Sequence, residues 1–261
     1  MTRMRDAAPL AVVALLLTGC GGSPDTGATA GGPAGAGTAS EAGGEVTVLA
    51  AASLTRPLTA LAEAYEAAHP GTTVRLSFGS STTLAQQVAQ GADADLLATA
   101  GTAALEQLGD VEPTVTTTIA RNTLEIATPT DNPAGVAGLT DLSRDDVDVV
   151  LCAASVPCGK AADEVLRRAG VTPHVVSREV DVAATLAKVT LGEADAAVVY
   201  HSDVVSSRGR VGGVGIPAAQ NATLTYPLAR FGHEAAAAAF AAHVAGPEGL
   251  AVLASAGFLP P

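Results

Sequence analysis

Val46-Thr47-Val48-Leu49-Ala50-Ala51-Ala52-Ser53-Leu54-Thr55 is an apolar strand running into a helix, with a serine at the junction. Val46 to Ala50 carries the strand. Leu54, Leu58, Leu61 and Tyr65 follow at helical spacing, and His69-Pro70-Gly71 stops the helix. The same order recurs downstream. Val74 to Phe78 reads as a second strand, followed by a helix carrying Leu84 and Val88. Further strands are predicted over Asp95 to Ala98, Leu124 to Thr128, Val147 to Cys152, Ala196 to Tyr200 and Tyr226 to Arg230. Helices are predicted over 160–169, around Val182, Leu186 and Val189, and over the Ala-rich stretches 233–244 and 247–256. Alternation of this kind predicts an α/β fold of parallel sheets covered by helices, and no repeat of fixed period interrupts it.

Ligands of open α/β sheets sit beyond the carboxyl ends of strands, where helices begin. Besides Ser53, those junctions are Ser80-Ser81-Thr82-Thr83-Leu84, Val156-Pro157-Cys158-Gly159-Lys160, Glu179-Val180-Asp181-Val182 and Val199-Tyr200-His201-Ser202-Asp203. Helix N-termini carry unpaired N–H groups and partial positive charge, so they hold oxyanions without a cationic side chain. The competing reading is that Ser53 and Ser81 merely cap their own helices. Several junctions rich in Ser, Thr and Gly weigh against it.

The 261 residues hold 14 Lys+Arg against 26 Asp+Glu, a net charge of −12. That balance excludes a nucleic-acid surface, which needs a basic face. It excludes an anionic ligand only if recognition is by bulk charge. On net charge alone, capture of an anion should be slowed, and added salt should speed it slightly. His69, His174, His201, His233 and His243 show no metal-ligand spacing. No Gly-x-Ser-x-Gly elbow or phosphate-binding loop is present, so a hydrolase using Ser53 or Ser81 is a remote alternative.

Arg3 and Arg5 precede an eleven-residue apolar run, Ala7 to Leu17, too short for a bilayer span of about 20 residues. Leu17-Thr18-Gly19-Cys20 resembles a bacterial lipobox, which implies a signal peptide over 1–19 and a lipid on Cys20. From Gly21 to Gly44 only Gly, Ala, Ser, Thr, Pro, one Asp and one Glu occur, so residues 20–44 read as a lipidated flexible tether. Its span is roughly 25–30 Å for a Gly-rich chain. Cleavage leaves 12 basic and 25 acidic residues, a net charge of −13. Cys152 and Cys158 remain, an even pair in an exported chain. They read as a disulfide, with two buried free thiols as the alternative.

Ala51-Ala52-Ser53-Leu54-Thr55, Ser80-Ser81-Thr82-Thr83-Leu84-Ala85 and Gly91-Ala92-Asp93-Ala94-Asp95-Leu96 together resemble the molybdate-binding proteins of ABC importers. Val156-Pro157-Cys158-Gly159, Val199-Tyr200-His201-Ser202-Asp203, Tyr226-Pro227-Leu228 and Gly257-Phe258 extend the resemblance to the C-terminus. It implies a type II periplasmic-binding-protein fold, two α/β lobes joined by two crossings, with lobe 1 over 45–125 plus 226–261 and lobe 2 over 126–225. It implies no enzymatic activity and no cofactor. The ligand is then molybdate, with tungstate nearly isosteric, and sulfate or another tetrahedral oxyanion is the alternative. Carried over by motif, the oxyanion ligands are the Ser53 and Ser81 hydroxyls, the amides of Cys158 and Val182, and the Tyr200 hydroxyl. Molybdenum enters only as molybdate through these groups. The implied partner is a membrane permease, and the implied state is a monomer on the extracytoplasmic face of the cell membrane. Two positions depart from the family pattern. Cys158 replaces a usual Ala, harmless where only its N–H binds. Lys160 replaces a usual apolar residue and is expected to face solvent.

Overall fold

Val46, Val48 and Ala50 alternate along β1 (Glu45–Ala51), and all three are buried. A 3-10 turn, Ala52–Leu54, leads into α1 (Thr55–Ala68), which buries Leu58, Leu61, Ala62 and Tyr65 as one helical stripe. The helix ends at His69, and Gly71 takes the positive φ of 97° that returns the chain to the sheet. The computed structural model describes residues 43–261. The signal peptide, Cys20 and the tether as far as residue 42 lie outside the described residues.

The chain continues through β2 (Thr73–Gly79), α2 (Ser81–Ala89), β3 (Leu96–Ala98), β4 (Val115–Thr128), β5 (Val149–Cys152) and α3 (Pro157–Ala169). Then follow β6 (Val175–Glu179), α4 (Val182–Thr190), β7 (Ala196–Tyr200), α5 (His201–Ser206), β8 (Gly212–Gly215), β9 (Thr223–Arg230), α6 (Ala235–Ala245) and α7 (Pro247–Ser255). Strand order is β2-β1-β3-β9-β4-β7-β5-β6, with β8 paired to β4.

The sheet is mixed, which corrects the all-parallel expectation. β1 runs parallel to β2 and β3, and β5 parallel to β6 and β7, but β4 and β9 are antiparallel to their neighbours. The cause is the length of β4. Its residues from Val115 to Thr123 pair with β9, and those from Leu124 to Thr128 pair with β7 and β8. One strand thus leaves the first group and enters the second, and the chain returns through the segment between β8 and β9. The first half of β4 escapes the sequence reading because Val115 to Thr118 are all exposed and show no alternation.

Helices cover both faces. Val48, Ala50 and Leu96 join the main core with Leu58, Tyr65 and Phe240. Leu49, Leu97 and Ala229 point the other way, onto Leu84 and Val88 of α2. That double burial explains the near-continuous apolar character of β1 and β3.

Candidate functional site

The turn after β1 places Ser53 in a 3-10 segment, 5% exposed. Its Oγ lies 3.0 Å from the hydroxyl of Tyr226 on β9. Ser81 opens α2, and its Oγ accepts the Ala100 N–H at 2.9 Å, just beyond β3. Neither serine makes a capping bond: the turn, α1 and α2 all begin without one. The capping alternative therefore fails for both. Both oxygens are held by distant partners: Ser81 accepts and so keeps its hydrogen to donate, and Ser53 keeps its own when Tyr226 is the donor of their shared bond.

Two helix starts face them. Pro157 occupies the first turn of α3, where a missing N–H costs nothing. The amides of Cys158 and Gly159 follow and have no intrahelical acceptor. A Cβ on Gly159 would stand 2.0 Å from the Ala153 carbonyl oxygen, so only glycine lets this helix pack against the strand exit. A disulfide joins Cys158 to Cys152 at the end of β5. At the start of α4, the Asp181 side chain accepts the Ala184 N–H at 2.9 Å, and its carbonyl accepts from the Thr185 hydroxyl and amide. The Val182 amide is left without an intrahelical partner.

Tyr200 ends β7, 1% exposed. Its amide donates to Asp203 Oδ2 at 3.0 Å, while its buried hydroxyl lies beside the Tyr226 phenol and makes no hydrogen bond of ordinary geometry among the described residues. Burial pushes the phenol well above its ordinary range, so it stays a neutral donor. Burial also lifts the Asp203 carboxyl to about 7, against the lowering effect of the Tyr200 N–H.

Ser53, Ser81, Cys158, Val182 and Tyr200 line one cavity of about 20 Å³. A single water needs roughly 10–15 Å³ on that measure, so the space suits a compact ion rather than an organic molecule. Among the described residues no Lys, Arg or His lines it, and Asp181 is the one charged residue on its wall. Lys160 is exposed and lines a neighbouring cavity with Glu164. Sequence reading missed Ser80, whose buried Oγ also lines the site without a partner. It also missed the support beneath Ser53, where Asn122 Nδ2 donates to the Ser202 hydroxyl at 2.7 Å and approaches Tyr226 Oη at 3.4 Å. Asn122 lies in the half of β4 that the sequence pattern does not reveal, so nothing local marked that buried network. Among the described residues, no three His, Cys, Asp or Glu side chains converge as a metal site.

The family model of bacterial extracellular solute-binding proteins matches residues 46–259. The molybdate-binding protein of Mycobacterium bovis is 36% identical over 221 residues, covering 83% of this chain and 85% of its own. The periplasmic molybdate-binding protein of Azotobacter vinelandii superposes with a TM-score of 0.71 at 20% identity, over 83% of this chain and 99% of that one. The sulfate-binding protein SubI of Mycobacterium tuberculosis gives 0.71 at 20% identity, over 83% and 86%. At that identity the two structures establish the fold and leave the anion open. The sequence match goes further: this chain belongs to the bacterial extracellular solute-binding proteins, a two-lobed type II periplasmic-binding-protein fold that binds its ligand and is not an enzyme.

Proposed function

We propose that the protein captures molybdate outside the cytoplasm, accepts tungstate as its near-isostere, and delivers the ion to the permease of an ABC importer. One observation carries the reading. The hydroxyls of Ser53, Ser81 and Tyr200 and the amide ends of α3 and α4 line one small cavity that has no cationic side chain. Neutral donors of this kind fit a fully ionised tetrahedral dianion. The 36% identity to a molybdate-binding protein supports the choice of anion. Residues 126–225 would close on 45–125 and 226–261 about β4 and the segment leading to β9, and a lipid on Cys20 would hold the monomer at the membrane.

The energetics agree. Hydrogen bonds to a charged partner contribute about 1.5–3 kcal/mol each, so five to seven give roughly 10–20 kcal/mol gross. Association costs at least ~4 kcal/mol. Nanomolar binding needs about 12 kcal/mol net and is reached when the donors are held in place beforehand. The distant partners of Ser53 and Ser81 supply that restraint.

A sulfate receptor is the second reading, since the neutral donors around the cavity suit sulfate, another tetrahedral dianion, as well. Calorimetric titration with molybdate, tungstate, sulfate and phosphate separates the two. Tight binding of the first two alone is expected. Sulfate binding as tightly as molybdate would overturn the choice of anion, and no binding of any oxyanion would overturn the site.

A further inference from the structure

Three cavities share walls on one side of the oxyanion site. A cavity of about 220 Å³ is lined by Arg56, Arg208 and Ser206. It shares Arg56 and Ser206 with a second, of about 400 Å³, whose wall adds Arg210, Ser207 and Ser53. Ser53 then lines the oxyanion cavity itself. The three arginines are exposed and none forms an ion pair among the described residues, whereas Arg75, Arg144, Arg167, Arg168, Arg178 and Lys188 are each held by a carboxylate. Arg210 spends only its Nε, on the Ser207 carbonyl at 3.1 Å.

Two buried hydroxyls join the polar side of the wall, which also carries the apolar α4 residues Ala183, Leu186, Ala187 and Leu191. Ser207 is 1% exposed, and its Oγ and that of Ser206 have no hydrogen-bond partner. Asp203 lines the same cavity and opposes an anion when ionised. The cavity on the Lys160 side has one basic and one acidic residue on its wall, Lys160 and Glu164, and Glu164 is held by Arg167 and Arg168.

We propose that the cavity walled by Arg56, Arg210, Ser206 and Ser207 is an antechamber that draws in the oxyanion and passes it to the site beside Ser53. The inference rests on the oxyanion reading of that site and adds its route of entry. Guanidinium and hydroxyl donors suit a tetrahedral dianion, and the larger volume holds one that still carries water. The arrangement also reverses the salt dependence expected from net charge. Attraction at this mouth is local and acts within about one Debye length, ~10 Å at 0.1 M salt. Capture then slows as salt is added, although the chain as a whole is acidic.

Stopped-flow mixing with molybdate, followed by tyrosine fluorescence, tests this, since Tyr200 lines the site and the chain has no Trp. R56Q/R210Q is compared with R75Q/R168Q, which removes the same net charge from exposed positions elsewhere. The antechamber predicts an association rate about tenfold lower at low ionic strength in R56Q/R210Q alone, in the range of electrostatic steering. The single variants R56Q and R210Q should each lose part of it. In the unsubstituted protein association falls with salt, and in R56Q/R210Q that slope vanishes or reverses. Equal association rates in the two double variants, or an unsubstituted rate that rises with salt, overturn the antechamber and leave the oxyanion site intact. No molybdate binding by the unsubstituted protein removes both.

Discussion

Ser53 Oγ and the Tyr226 hydroxyl meet at 3.0 Å across 173 positions of sequence, tying the first strand exit to the last strand. With Asn122 Nδ2 3.4 Å from the same phenol, the chain of donors can run from Asn122 to Tyr226 to Ser53. Ser53 then keeps its own hydrogen for the cavity. Burial and the neighbouring Asp203 hold the Tyr226 phenol above its ordinary range, against the lowering contacts from Ser53 and Asn122, so it stays protonated throughout.

Tyr226→Phe removes that orientation without changing the cavity wall. Oxyanion affinity should fall about 5- to 10-fold, the equivalent of one ordinary hydrogen bond near 1 kcal/mol. Calorimetry on the folded variant measures it, and unchanged affinity would show that Ser53 needs no support.

Each serine is tested by its own alanine variant against the parent. Ser53→Ala removes one donor to a charged ligand, so affinity should drop about 10- to 100-fold for the ~1.5–3 kcal/mol such a bond contributes. Ser81→Ala should weaken binding similarly and also lower stability by about 1–3 kcal/mol, because the buried Ala100 N–H loses its acceptor. Binding and urea unfolding measured on both variants decide the matter. A Ser81→Ala variant as stable as the parent would contradict the assigned role of Ser81.

Strand-to-helix junctions were legible because each combines an apolar run with a change to helical spacing, as at Val46 to Thr55 and at Ala196 to Asp203. The cavity follows from them, since in an α/β fold those exits lie together. What was not legible depends on pairing between distant strands. The antiparallel course of β4 and β9 leaves no local trace, and β8, Gly-Gly-Val-Gly, has a single usual strand former, Val214, among three glycines. Tyr226 was legible as a strand residue, but its bond to Asn122 shows only when β4 and β9 are laid side by side. Arg56 and Arg210 stand 154 positions apart, so their shared cavity was equally hidden.

The Cys152–Cys158 bridge lies against both amide-donating helices. Cys158 belongs to α3, and Cys152 Sγ lies 3.3 Å from Thr185 Oγ1 one turn into α4. Closing this short loop is worth about 2 kcal/mol by chain entropy. C152A/C158A should therefore melt lower and bind oxyanion several-fold more weakly, with the loss persisting far below the melting temperature. Thiol counting on the unreduced protein should find neither cysteine reactive. Unchanged affinity in the double variant would limit the bridge to a stabilising role.

Asp203 sets the direction of the pH dependence. Burial raises its pKa from 3.8 to about 7, with Asp181 adding to the rise and the Tyr200 N–H opposing it. Between those values the folded chain keeps a proton that the unfolded chain has released, so stability falls as pH rises. The contribution is complete below about pH 4 and lost above about pH 7, at most ~4 kcal/mol at ~1.4 kcal/mol per pKa unit. Asp203→Asn retains an acceptor for the Tyr200 amide and cannot ionise. Urea unfolding from pH 5 to pH 8 should show the parent losing stability across that window and the variant holding a flatter profile, with the variant ahead at pH 8. Parallel profiles for the two proteins would mean that the buried carboxylate is stabilised in its charged form, by groups other than the Tyr200 N–H.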